Sequence, residues 1–389
     1  MEQVRRDRLA EIEKNGGDAG MLLDYLTELE EKNPGWKHAS TVRDGRLVGL
    51  VWMSPLQQEL GRLWGDVVQV DASEGRNLYD FYLTTFVLID GEGKSRNMAY
   101  ALHAEQDAPT FSWINRFVNR TLSTVGFPHV VLRDRAGAIA LGVSEIWPNA
   151  FQIECFWHII SNIKQNLTKK MGTGYAAFYR DFIQMYRMGS ETSFRRAWET
   201  LRLRWPHAMP YLEGPHNGLW HSRESWAWYS VGKHFAAGCT TTSRVEVEHK
   251  VYKSLGLDRR YYVALYSSLT NRTSFNDLFD RLHDRQEDQR DRHLLLKHQA
   301  SRIRHWKSKE LDSHFQPLLE EARQFLTLHA YSSLYNECRA SLVLHEISEV
   351  RDIELSQWKD GDEDEEECLQ EPQPMYVDPI DLDYNEVCF

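Results

Sequence analysis

The apolar positions change period several times along the chain. The first 35 residues read as two short helices broken at Asn15-Gly16-Gly17, the second with Met21, Leu22, Tyr25, Leu26 and Leu29 on one face. A hairpin turning at Asp44-Gly45 is predicted within residues 41–53. From residue 66 the period becomes two: 66–73 (DVVQVDAS), 81–90 (FYLTTFVLID) and 97–104 (NMAYALHA) predict three strands joined by short turns, as in an antiparallel meander. Phe111, Ile114, Phe117, Val118 and Leu122 then share one helical face. His129–Asp134 is a short apolar run of the kind a buried central strand shows, and a helix near 136–146 leads to a strand at 151–157. Beyond it Ile159, Ile160, Ile163 and Leu167 mark another helical stripe. The order βββαβαβα predicts an α/β fold, a mixed sheet of three antiparallel strands and two further strands, flanked by helices.

This pattern divides the chain into a small helical and hairpin unit at 1–63, a sheet-bearing domain at 64–256 with a helical insertion at about 168–236, and a helical region at 257–358. The remainder, 359–389, has no periodic apolar face and is read as a disordered tail. Charge sharpens the division. The chain has 389 residues and a net charge of -11, and the tail alone holds 12 acidic residues against one basic one. The body before it is therefore neutral, with 45 residues of each sign. Between Cys155 and Arg260 there are 16 Lys and Arg against 8 Asp and Glu, an excess that suits a phosphate backbone. Composition equally allows a solvated helical surface. No apolar run reaches the roughly 18 residues of a membrane span, so a soluble intracellular protein is expected. The five cysteines are odd in number and contain no C-x-x-C pair, which points to reduced thiols.

Two carboxylates end strands of the predicted sheet. Asp71 shares a strand face with Gln69, opposite Val68 and Val70, and Asp134 closes the apolar run before it. If those strands are neighbours, both reach one sheet edge, where paired oxygen ligands suit Mg²⁺. Aspartate also caps strands and turns, and Asp66, Asp80 and Asp90 are read that way. Cys155 and His158, three apart, are either two core residues at a helix start or half of a zinc site. Structural zinc takes four ligands, so His249 or Cys239 would have to join them from afar.

Residues 66–165 resemble the transposase domain of Mutator-like elements, a family that includes the plant far-red-impaired-response regulators. The family's opening Asp-Ala-Thr-Tyr-x-Thr-Asn-x-Tyr pattern is similar to DASEGRNLY here, which keeps Asp71, Ala72, Asn77 and Tyr79. The segment VVLRDRAGAIALGVSEIWPNAFQIECFWHIISNI resembles the block with the second aspartate and the Cys-x-x-His landmark. Farther on, TTTSRVEVEHKVYKSL resembles the closing block, whose acidic residue falls on Glu246. Ser73, Glu74, Arg133 and His249 depart from the family pattern.

The resemblance implies an RNase H-like core with an Asp71, Asp134 and Glu246 triad holding two Mg²⁺ or Mn²⁺ ions; Zn²⁺ at Cys155 and His158 stays a minor option from the residues themselves. Glu248 is the rival third acid; two positions along a helix turn it about 200° from Glu246, so only one can face the ions. The implied activity is DNA cleavage and strand transfer in the nucleus. DNA is the implied partner, with Lys164, Lys169, Lys170 and Arg244 as candidate phosphate contacts. The zinc modules that often flank such cores are not written in the cysteine spacing. That leaves room for a homo-oligomer, a separate DNA-binding partner, or a non-enzymatic derivative that regulates transcription.

Overall fold

A computed structural model describes residues 17–338, apart from 75–76, 78, 124–127, 216–217, 255–273, 301–308 and 328. The first expected helix and the acidic tail lie outside these residues. Helix α1 (Gly17–Lys32) precedes a hairpin, β1 (Lys37–Arg43) and β2 (Arg46–Met53). Its turn residues Asp44 and Gly45 both have positive φ, 52° and 72°, the backbone that an Asp-Gly pair supplies. Helix α2 (Pro55–Trp64) follows, started by a capping box in which Ser54 and Gln57 satisfy each other's backbone N–H groups.

The meander is β3 (Val67–Ser73), β4 (Tyr82–Ile89) and β5 (Ser95–His103), each antiparallel to the next. Then come α3 (Ala108–Leu122), β6 (Val130–Arg133), α4 (Gly137–Ile146) and β7 (Phe151–Glu154). Strand β6 lies parallel to both β3 and β7, and the sheet runs β1-β2-β5-β4-β3-β6-β7. Five of these strands, β5-β4-β3-β6-β7, make the mixed sheet that the apolar periods predict, in the arrangement of the RNase H-like core that the resemblance implies.

The hairpin read as part of a separate N-terminal unit instead extends this sheet, because β2 pairs antiparallel with β5 from Gly49↔His103 to Trp52↔Tyr100. Its alternation puts Val51 and Met53 in one core and Leu50 and Trp52 in the other, so it has two apolar faces to bury rather than one.

One face of the sheet packs Val68, Val70, Phe86 and Val131 against Phe111, Ile114 and Val118 of α3 and Ile139 and Val143 of α4. Helices α3 and α4 cross closely at Gly142, where a Cβ would stand 2.6 Å from that of Phe111. The opposite face is covered in part by α1 and by a C-terminal helix, whose Phe275, Leu278, Phe279 and Leu282 join Leu50, Trp52, Tyr100 and Leu102.

Between them lies a helical insertion of α5 (Phe156–Met171), α6 (Tyr175–Tyr186), α7 (Glu191–Arg204) and the short α8 (Met209–Leu212) and α9 (Trp228–Val231). It has its own core, in which Trp198 and Trp226 are fully buried among Phe178, Phe182 and Phe194. Helix α10 (Ser243–Ser254) then returns to the sheet beside β3 and β4, followed by α11 (Phe275–Ala300), which supplies the C-terminal cover, and α12 (Lys309–Phe325). Among the described residues no helix is long and apolar enough to cross a membrane.

Candidate active site

The sheet register settles where the two aspartates lie. Val70 pairs with Arg133 across the parallel β3–β6 ladder, so the next residues, Asp71 and Asp134, leave adjacent strands at the same level. Val67 and Val130 are buried on the face opposite Val68 and Val131, and alternation carries Asp71 and Asp134 to that same face. Asp71 is still within its strand and 8% exposed. Asp134, just beyond β6, accepts a hydrogen bond from the Ala136 N–H at 2.9 Å, which fixes its carboxylate at the turn into α4.

The third acid arrives through a stitched loop. Cys155 caps α5, where its N–H donates to the Arg133 carbonyl (2.7 Å). The N–H of Phe156 donates to the Thr240 carbonyl (3.0 Å), and that of Thr242 to Cys155 Sγ (3.2 Å). Helix α10 therefore starts against the first turn of α5. Its Glu246 Oε1 lies 3.5 Å from His158 Nε2, and its His249, one turn on, lies 3.6 Å from Asp71 Oδ2 and 3.2 Å from Thr85 Oγ1.

Glu248 points elsewhere. Its oxygens take two hydrogen bonds from Arg285 of α11 at 2.6 and 2.9 Å, and a third from Asn97 of β5 at 3.2 Å. The pair is buried, with Glu248 2% and Arg285 13% exposed. A carboxylate so fully bonded has no free edge to offer an ion.

The charges inside the site repel one another. Burial raises the Asp71 carboxyl to a pKa of about 7, with Asp134 and Glu246 adding to the rise and His158 opposing it. Burial works against the charge of His158, yet its hydrogen bond to Cys155 and the charges of Cys155, Asp71 and Glu246 hold it up to about 9. Glu246 Oε1 is buried without a hydrogen-bond partner. Three converging carboxylates, one buried with its proton affinity raised and one with an unsatisfied oxygen, are a donor set that a hard divalent cation can use. Two arginines beside it have partners of their own: Arg133 donates to Gln152 and to the Asp134 carbonyl, and Arg135 pairs with Glu154 at 3.0 Å.

The remaining candidates separate. Lys164, Lys169 and Lys170 are exposed on α5, which runs away from the carboxylates. Arg244 is half-buried and donates to Gly93 O (2.9 Å) and Ser95 Oγ (3.3 Å), tying the start of α10 to the β4–β5 turn. That contact serves the fold, where the sequence reading gave Arg244 to a phosphate. Asp90, read as a turn or surface residue, occupies that turn but is 4% exposed and pairs with Arg96 at 2.7 Å. His249 and Cys239, considered as distant zinc ligands, do not join Cys155 and His158; Glu246 does, the three ligand atoms lying within 4.8 Å of one another. Arg285 was missed because nothing local in its helix announces a partner 37 residues away.

Residues 67–162 match the model of the MULE transposase domain. The chain is 26% identical to FAR1-RELATED SEQUENCE 4 of Arabidopsis thaliana over 191 residues, 47% of this chain and 25% of that protein. It is 24% identical to the same plant's putative FAR1-RELATED SEQUENCE 10 over 233 residues, 59% of this chain and 33% of that protein. With FAR1-RELATED SEQUENCE 2 it shares 27% over 153 residues, 39% of this chain and 19% of that protein. The chain thus spans a third or less of the length of these curated relatives.

Proposed function

With a MULE transposase domain over residues 67–162 as premise, we propose that the chain cleaves DNA and joins the freed end to a target. The phosphoryl transfer takes place at Asp71, Asp134 and Glu246. The observation that supports this most is the level placement of Asp71 and Asp134 on parallel neighbouring strands, with Glu246 brought against the same face. These three carboxylates would hold two Mg²⁺ or Mn²⁺ ions. Such ions, when bound, activate the attacking oxygen and offset charge on the scissile phosphate.

The chain's own residues do the positioning. Strand ends fix two carboxylates rigidly, and the Arg285–Glu248 pair locks the helix that presents the third. In the first step a water oxygen bonds to phosphorus, the P–O3′ bond breaks, the water's proton passes to solvent or to a carboxylate of the site, and the departing O3′ takes up a proton from solvent to become a 3′-hydroxyl. In the second the freed 3′-hydroxyl attacks a target phosphate in the same way. Both are in-line displacements, and neither requires a covalent protein intermediate. Lys164, Lys169 and Lys170 neutralise phosphates along the flanking duplex, and a DNA substrate makes the nucleus the place of work.

The test is nicking of supercoiled plasmid by the purified chain in Mg²⁺ or Mn²⁺. Asp71→Asn and Asp134→Asn should each abolish it while the circular dichroism spectrum is kept. Nicking that persists in both variants overturns the assignment.

A second reading is a MULE-derived core that binds DNA or a partner, regulates transcription and does not cut. The approach of His158 to Glu246 at 3.5 Å favours it, since a cationic imidazole there offsets the charge of the third carboxylate without a metal. It predicts DNA binding by the native chain with no metal-dependent nicking.

A further inference from the structure

We propose that Cys155, His158 and Glu246 form a binding site for a soft or borderline divalent cation, Zn²⁺ in first place, which adjoins the all-oxygen set at Asp71 and Asp134 and shares Glu246 with it. The site is assembled from two helix starts. Cys155 caps α5 and His158 follows three positions later, one turn along the helix. Glu246 comes from the first turn of α10, which the Thr242-to-Cys155 and Phe156-to-Thr240 bonds hold in place.

The spacing fits an ion better than it fits a direct contact. His158 Nε2 and Glu246 Oε1 are 3.5 Å apart, longer than a good charged hydrogen bond. Two donors bound to tetrahedral zinc at about 2.1 Å stand about 3.4 Å apart. All three ligand atoms lie within 4.8 Å of one another, and Glu246 Oε1 has no hydrogen-bond partner.

Ligand type sets the selectivity. Thiolate and imidazole favour Zn²⁺ or Co²⁺ and are poor ligands for Mg²⁺, which takes oxygen. The Thr242 N–H aimed at Cys155 Sγ is the kind of outer hydrogen bond that orients a metal-bound thiolate. Three protein ligands leave a fourth position for water. The inference rests on the proposed function in one respect: Glu246 is common to both sets, so an ion held by Cys155 and His158 draws the third carboxylate away from Asp71 and Asp134. Zinc is then an antagonist of the Mg²⁺-dependent reaction.

Cobalt titration of the reduced 389-residue chain tests the site by absorption. The native protein should take up one equivalent of Co²⁺ with an intense near-ultraviolet sulfur-to-cobalt band, and Zn²⁺ should erase it while millimolar Mg²⁺ does not. Cys155→Ser should lose the band, and Glu246→Gln, which keeps the sulfur, should weaken Co²⁺ binding by at least about tenfold. A native spectrum without the sulfur band overturns the site, as does a band that survives in Cys155→Ser, which would place it on another of the five cysteines. Because the readout is spectroscopic, loss of the band with intact Asp71-dependent nicking sinks this inference alone. A normal band with nicking indifferent to Asp71 sinks only the proposed reaction.

Discussion

Asp71 carries the heaviest electrostatic load in the site, and its proton is what makes the metal-free chain tolerable. The carboxyl titrates near 3.8 without the fold and at about 7 within it. Between those values the folded chain keeps a proton that the unfolded chain releases, so the associated stability is present below about pH 4 and lost as pH rises through 7. His158 behaves alike in a higher window, its stabilisation complete below 6.5 and lost through about 9. The metal-free melting temperature should therefore fall from pH 5 to pH 9. Asp71→Asn should remove the lower part of that slope and stabilise the metal-free fold by about 1–3 kcal/mol at pH 8. Melting curves across this range check it; a variant less stable than the native chain at pH 8 contradicts the repulsion. At this scale the sequence pointed to Asp71 and Asp134 by their position after apolar strands. It left Glu246 and Glu248 to be separated, which helix geometry could frame but only the partner Arg285 decides.

Helix α10 is the element on which the site depends, and it is held from two sides. Arg244 ties its start to the β4–β5 turn, and Arg285 grips its middle through Glu248. Removing one member of a buried pair strands the other charge, at a cost of about 3–5 kcal/mol. Arg285→Ala should lower the unfolding free energy by that order in urea titration, and Glu248→Gln combined with Arg285→Gln should recover most of the loss. A single variant as stable as the native chain would show that the clamp is not formed.

Elements of this kind mark the limit of sequence reading. The strands β3, β4 and β5 announce themselves because runs of apolar and β-branched residues bounded by turn residues are a local signal of extended chain. That β2 continues the same sheet, or that α11 covers it, depends on which long-range partner each apolar face finds, and period alone carries no such information.

The whole molecule joins an RNase H-like sheet to a helical insertion with a tryptophan-rich core. Burial of Trp198 and Trp226 assigns those two to the insertion's own core, and the basic excess of the region is carried on helices such as α5 instead. Lys164 and Lys170 lie roughly 9 and 18 Å beyond His158 along that helix axis, at 1.5 Å per residue. Replacing Lys164, Lys169 and Lys170 together with alanine should flatten the salt dependence of duplex binding, reducing the log–log slope by about 2–3. Fluorescence anisotropy over a salt series reads this, and an unchanged slope would move the DNA path elsewhere.

The central claim is that three distant carboxylates share divalent ions at one sheet edge, and calorimetric titration with Mn²⁺ tests it most directly. The native chain should bind Mn²⁺ below millimolar concentration, and Asp71→Asn, Asp134→Asn and Glu246→Gln should each abolish or sharply weaken that binding. No heat of binding at millimolar Mn²⁺, or binding indifferent to all three substitutions, would contradict the account.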